Sequence, residues 1–359
     1  MKAVVRRGGA LVDTDMADPV PGEGQALVRT LVCGICGSDL HALHHLDHMV
    51  ALTSRAGGSL NLDPAADVVF GHEFAAEVLD YGPGTEKRLK PGTRVVSVPA
   101  AFGPQGSELV GYSNRFPGGF AERMVLQEAL LLEVPNGLDA ERAALTEPMS
   151  VGEHAVAQAS VTRQSVALVI GCGPVGLSVI SALKARRVGP VIATDFSPAR
   201  RAAAEALGAD IVLDPREHSP HERWESFDVP ATLASFGAAS LMGRQVRDAV
   251  VFECVGVPGM LQNLIENAPP NATIMVVGVC MESDTIEPSL AINKQLNLKF
   301  VFGYSPEEFA ATLREIAEGT RDVTALMSGT VGRSGVAAAF DALGRAGEGI
   351  KILVDPSRD

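Results

Sequence analysis

Six residues, Gly171-Cys172-Gly173-Pro174-Val175-Gly176, have the types and the spacing to hold a dinucleotide. Gly171 permits a tight turn, Gly173 lets the backbone approach a pyrophosphate, and Gly176 lets a helix pack close to a strand. The helix that follows offers free N–H groups and the positive end of its dipole to phosphates. Asp195 then stands at the end of a second apolar run, 188–194. A carboxylate there accepts hydrogen bonds from the adenosine ribose and repels a 2′-phosphate, which favours NAD over NADP. The plainer alternative is a structural glycine turn, with Asp195 as a helix cap before Ser197-Pro198. The whole series of strand, turn, helix, strand and acid favours the cofactor.

Such residues need a sheet to position them. From about 150 to 302 the sequence alternates strand candidates (166–170, 190–194, 249–253, 273–279) with helix candidates (175–186, 198–207, 258–267). That alternation predicts a parallel, doubly wound sheet. Residues 1 to about 148 read differently, as short strands divided by Pro21-Gly22, Pro83-Gly84, Pro91-Gly92 and Pro117-Gly118-Gly119, which predicts a β-rich domain. After Gly303 a helix is expected over 307–318 and a strand at 349–354; on pattern alone this tail fits either domain. Segment 215–243, with the sole tryptophan Trp224, is less regular and receives no functional assignment.

Composition narrows the classes. A chain of 359 residues, 46% hydrophobic and 20% charged, is long enough for two globular domains. A net charge of −13 with no basic run argues against nucleic acid. The start, MKAVVRRGG, lacks an apolar secretory core, and no apolar run approaches the ~20 residues that span a bilayer. The five cysteines, Cys33, Cys36, Cys172, Cys254 and Cys280, are odd in number and mostly in apolar surroundings. These features predict a cytoplasmic protein with no membrane partner and no disulfide framework.

Three further segments stand out: CGICGSDLH at 33–41, GHEF at 71–74 and LTEPMSVGEHA at 145–155. Together with GCGPVG, in this order and at these spacings, they make the chain resemble the zinc-dependent medium-chain alcohol and polyol dehydrogenases. The resemblance covers almost the whole length. It implies an α/β protein with a GroES-like β-rich catalytic domain, residues 1–149 together with 303–359, and a doubly wound (Rossmann) cofactor domain, 150–302. It also implies site roles. Cys36 is the expected thiolate ligand of one catalytic zinc, His72 the imidazole ligand, Glu73 an acid able to exchange at the metal, and Glu147 the third protein ligand. Ser38 is the expected first proton acceptor, His41 the outer end of a relay, and Asp39 the residue orienting His72. Val277 and Val279 are expected along the nicotinamide; Val255, Pro174 and Val175 complete the cofactor set. Zinc takes S, N and O donors tetrahedrally and leaves a fourth position open in a catalytic site, which these residue types suit.

Each residue has a duller reading beside this one. Cys33 and Cys36 form a C-x-x-C, although nothing around them is thioredoxin-like, and Cys33 suits a core thiol. His72 alone could be a core histidine, Glu147 a first-turn helix acid, Ser38 the cap of a helix beginning near Asp39, and His41 a solvated side chain.

The chain departs from many relatives in three places. The stretch 97–120 contains no cysteine, so a four-thiolate structural zinc is excluded. The segment 43–66 is long and carries His44, His45, Asp47 and His48; it is expected as a solvated loop that shapes the substrate entrance or a subunit contact. Gly37 stands where many relatives have an arginine for the pyrophosphate, so Lys351 and Arg200 are the candidate cationic contacts to the cofactor. Phe102 and Phe116 are candidate pocket walls, with loops 43–66 and 98–118 shaping the pocket. Family habit implies a homodimer or homotetramer, paired in part near 290–302. The expected activity is NAD-linked oxidation of a secondary alcohol or polyol, or the reverse reduction. A zinc-free quinone or enone reductase, and a non-catalytic NAD-binding redox sensor, are the alternatives; neither needs Cys36, His72, Glu147 and Ser38 together.

Overall fold

The computed structural model describes residues 1–104, 106–345 and 349–359. They fall into two compact units, Met1–Glu147 with Phe309–Asp359, and Pro148–Glu308.

The first unit is built on a seven-stranded sheet. Its path runs Met327–Val331, Lys351–Val354, Gln25–Gly34, Glu73–Tyr81, Arg94–Ser97, Leu131–Glu133, and Arg123–Gln127 pairs with Gln25–Gly34 off that path. The central strand reads QALVRTLVCG and alternates side chains between faces, with Ala26, Val28 and Cys33 in the core. At its end, Gly34 pairs with Glu73 on one side and with Leu353 on the other. This is the first place where chemistry dictates a residue. A Cβ on Gly34 would lie 2.1 Å from Glu73 Oε2, so only glycine leaves room for that carboxylate.

The chain then enters the helix Gly37–Arg55, with Cys36 as its N-cap residue. The sequence reading places a loop over 43–66, and residues up to Arg55 are helical instead. Asp39, Ala42 and Leu46, at i, i+3 and i+7, seat one face in the core. His44, His45, Asp47 and His48 fall on the exposed face, and the helix kinks at His45. The cysteine-free stretch forms an antiparallel pair, Ala100–Gly103 with Gly106–Leu109. Buried Glu108 accepts from Ser113 Oγ at 2.5 Å there, with Arg115 Nε at 3.7 Å.

The second unit holds a six-stranded sheet in the order Ile211–Leu213, Val191–Thr194, Val166–Ile170, Ala249–Glu253, Thr273–Val276, Asn297–Phe300. Every pairing in it is parallel. The strand Val166–Ile170 is buried at every position, as a strand covered on both faces must be. Helices Pro174–Ala185, Pro198–Ala206 and Met260–Asn267 follow the expected strands within a few residues. Strand order reverses between Val166–Ile170 and Ala249–Glu253, and the carboxyl ends of strands at such a reversal form a ligand crevice. The irregular segment holds a 3-10 helix, Pro220–Phe227, that buries Trp224 completely, and the helix Leu233–Leu241. The molecule is thus an α/β protein with a β-rich part and a doubly wound parallel sheet.

Candidate metal centre and cofactor crevice

In the first unit, one ligand atom each from Cys36, His72 and Glu73 lies within 4.8 Å of the others. Among the described residues no other group of three His, Cys, Asp or Glu comes together in this way. Cys36 comes from the N-cap of Gly37–Arg55, while Glu73 opens the strand Glu73–Tyr81 and His72 immediately precedes it. His72 and Glu73 are buried and Cys36 is partly so. A thiolate, an imidazole and a carboxylate converging at this separation can be bridged by a cation with bonds of about 2.0–2.3 Å, as zinc makes to such donors. The residues present therefore fit that metal.

The cluster has built-in counter-charges. Lys351 is completely buried, and its Nζ donates to Glu73 Oε1 at 2.7 Å, to Oε2 at 2.6 Å and to the carbonyl of Ile35 at 2.9 Å. Burial pulls the ammonium down; the Glu73 carboxylate and then Cys36 more than offset it, and its pKa stands above the usual lysine value. The sequence reading of Lys351 as a phosphate contact is corrected here, because all three bonds of this buried ammonium stay within the metal centre. A signal existed in the sequence: a lysine inside the apolar strand Lys351–Val354 needs a buried partner.

Asp39 is also fully buried. Its Oδ2 accepts from the backbone N–H of Cys36 at 3.0 Å, which ties the first turn of the helix, and its Oδ1 lies 3.6 Å from His72 Nδ1. That ring nitrogen has no hydrogen-bond partner among the described residues. Burial lowers the His72 pKa, but Asp39 and then Cys36 raise it further, well above the usual imidazole value. A buried imidazole set between two negative groups is short of positive charge.

Other expected residues are placed as follows. Ser38 is half-buried in the first helical turn rather than at the N-cap, which is Cys36. His41 is exposed on the same helix; partial burial and then His45 lower its pKa. Glu147 is buried near the start of the helix Thr146–Gln158, outside the three-donor cluster yet close enough to act on the Lys351 charge. Phe116 is buried in the core, whereas Phe102 is exposed. Sequence reading missed Tyr112, whose hydroxyl lies 2.8 Å from Asp39 Oδ1 and 3.0 Å from Ser38 Oγ. Cys33 is likewise walled in: a Cβ on Gly71 or Gly119 would come within 2.7 or 2.6 Å of its Sγ.

The second unit builds its crevice from backbone. Gly171 has φ +90°, the left-handed region that glycine enters without cost. Gly173 is the N-cap of Pro174–Ala185, leaving the first N–H groups of that helix as anion donors. A Cβ on Gly176 would fall 1.8 Å from the carbonyl oxygen of Gly171, so helix and turn meet only through glycine. Asp195 braces the turn: Oδ2 accepts from Cys172 N–H at 2.8 Å and Oδ1 from Ser197 N–H at 2.7 Å. Ser197, not Asp195, caps the next helix, accepting from Arg200 N–H. A guanidinium nitrogen of Arg200 lies 4.0 Å from where a Gly173 Cβ would be. Val255 and Val279 are exposed, and Val277 is buried. Glu253, unremarked in the sequence, holds the Val255 and Gly256 N–H groups at 2.7 and 2.8 Å.

Comparison with known proteins gives consistent findings. Residues 22–136 match the alcohol dehydrogenase GroES-like domain and residues 174–318 the zinc-binding dehydrogenase domain. The chain is 32% identical to (R,R)-butanediol dehydrogenase of Bacillus subtilis (strain 168), over 95% of each chain. It is 28% identical to sorbitol dehydrogenase of Gallus gallus, over 99% of this chain and 97% of the other. A structure from Sinorhizobium meliloti 1021 with NADP bound superposes with a TM-score of 0.79 at 25% identity, covering 99% of both chains.

Proposed function

The chain belongs to the zinc-dependent medium-chain alcohol and polyol dehydrogenases, and from that premise we propose that it transfers a hydride between a secondary alcohol or polyol, or the matching ketone or aldehyde, and NAD. The convergence of Cys36, His72 and Glu73 on one point carries this reading. These three residues would hold one zinc, with Glu147 as a further candidate ligand. When bound, zinc supplies Lewis acidity that makes a substrate hydroxyl a far better proton donor. The cysteine-free stretch 97–120 supports a single metal per chain.

The remaining work falls to side chains and backbone. Lys351 neutralises and fixes Glu73. Asp39 faces the Nδ1 edge of His72 and sets its tautomer and orientation. Ser38 accepts the hydroxyl proton, and His41, exposed one turn on, hands it to solvent. The Gly171–Gly176 turn and the helix N-terminus bind the pyrophosphate, Asp195 and Arg200 the adenosine side, and Val255, Val277 and Val279 the nicotinamide side. The carboxylate of Asp195 supports NAD over NADP, by repulsion of a 2′-phosphate. Among the described residues no helix is long and apolar enough to cross a membrane, and we place the enzyme in the cytoplasm. The edge strand Asn297–Phe300, with Phe300 and Phe302 exposed at 68% and 90%, supports pairing of copies into a homodimer or homotetramer.

A panel of secondary alcohols and polyols tests the reading. Zinc-loaded protein should form NADH, favour NAD over NADP, and contain about one zinc per chain. Cys36→Ser should lower kcat/KM on the order of a thousandfold and lose the metal. Full activity in a zinc-free Cys36→Ser protein would overturn the mechanism.

A further inference from the structure

The helix Gly37–Arg55 carries His41, His44, His45 and His48, a spacing of i, i+3, i+4 and i+7. On a helix that spacing puts all four imidazoles on one side. Asp39, Ala42 and Leu46 are buried on the opposite side, so the backbone that carries the histidines is fixed while all four side chains are exposed. In a loop the four would share no common face; the helix sets His41 one turn before His45. His45 also stands edge-on to His44, with ring centroids 6.4 Å apart and planes at 74°. His45 is near enough for its charge to act on His41: partial burial and then His45 hold the His41 pKa down, which leaves that ring neutral, with a lone pair to donate, at neutral pH.

We propose that His41 and His45 form a second metal site, outside the Cys36–His72–Glu73 centre, that takes a divalent d-block cation such as zinc or nickel from solution. Two histidines at i and i+4 on one helix face can share one such ion, through Zn–N bonds of about 2.0 Å. Both side chains are exposed and can turn onto a common ion, with water in the remaining positions. The kink at His45 falls at the end of this pair, whereas it interrupts the helix between His44 and His48, the other pair at i and i+4. Two neutral donors make a weaker site than a thiolate, an imidazole and a carboxylate together, so this site fills after the three-donor centre. An ion there occupies the lone pair of His41. Because His41 is read above as the outlet of the proton relay, filling the site slows alcohol oxidation; that consequence alone rests on the relay reading.

The test adds further zinc chloride to zinc-loaded enzyme, counting bound metal by equilibrium dialysis and following NADH formation with the best alcohol of the panel. The parent should take up a second equivalent per chain, and kcat for oxidation should fall about tenfold as it does. His45→Ala should keep the parent kcat before zinc is added, bind the second equivalent at least about tenfold more weakly, and shift the inhibition by the same factor. His41→Ala should lose the second equivalent as well, whereas His48→Ala should change its affinity less than about twofold. Absence of a second equivalent in the parent overturns the proposal, as does uptake that persists in His45→Ala or that is lost in His48→Ala instead. Uptake that depends on His41 and His45 without any slowing of NADH formation leaves the site standing and overturns the relay role of His41.

Discussion

The two units solve their binding problems with different materials. The Rossmann unit uses backbone. Its crevice comes from three glycines, a helix N-terminus and two carboxylates, Asp195 and Glu253, that hold N–H groups of the turns. The β-rich unit uses charge. Cys36, Asp39, His72, Glu73 and Lys351 converge from the central sheet and the adjoining helix, and the last four are buried. A backbone crevice tolerates changes of side chain but not added volume. A charged cluster tolerates volume poorly as well, as Gly34 shows, and it also fails when its charges no longer balance.

Three changes would break or sharpen that contrast. The largest effect is expected at Lys351. Lys351→Met leaves the Glu73 carboxylate buried without its cation and should cost about 3 kcal/mol in metal-free protein, read from urea unfolding. Adding Glu73→Gln should recover most of that loss. A single variant as stable as the parent would show that charge balance does not govern this unit. Next comes Gly176→Ala, whose Cβ would sit 1.8 Å from a backbone oxygen. It should weaken NAD binding roughly a hundredfold by titration calorimetry. Zinc content should not change. Retained NAD affinity would mean that the turn moves aside at little cost.

The effect that is smallest at neutral pH falls in the Rossmann unit and grows on acidification. Burial, and then Lys294, push the His221 imidazole down to about 4, and its Nδ1 has no partner among the described residues. A depressed histidine binds its proton more readily in the unfolded chain. Its stabilising contribution is thus complete above the ordinary value near 6.5 and is lost as pH falls from there toward about 4. The acid-side loss should reach about 3 kcal/mol, and His221→Gln should flatten it. An unchanged acid limb in that variant would place the sensitivity elsewhere, with the buried charges of the β-rich unit the first alternative.

The same contrast explains what the sequence made legible. Gly171, Gly173, Gly176 and Asp195 lie within one strand–turn–helix–strand unit, so their spacing carries their meaning. The sheet order around them follows from the alternation of strands and helices. Cys36, His72 and Glu73 were readable through the family resemblance, since no local periodicity brings position 36 to position 72. Tyr112 was not readable. Its partners are 73 and 74 residues away, and a lone tyrosine in a turn-rich stretch has no pattern of its own. Lys351 was misplaced because a cation near a cofactor suggests phosphate, and only the pairing of its strand with Gln25–Gly34 brings it to Glu73. The helix Gly37–Arg55 was hidden by its own composition: four histidines and an aspartate on its outer face masked the three buried positions that seat it.

The packing around Cys33 has a consequence for oxidation. The chain carries Cys-Gly-Ile-Cys, the spacing that oxidoreductases use to close a disulfide. Here one of the two sulfurs is sealed. Cys33 is completely buried, glycines at 71 and 119 are the only residues that fit against its Sγ, and burial and then Asp39 push its thiol well above the usual value. Its thiolate, the form that attacks an oxidised sulfur, is therefore suppressed. A sulfenic acid formed on Cys36 would find no ready resolving thiol at Cys33, and the neighbour that looks like a redox partner acts instead as inert filling beside Cys36.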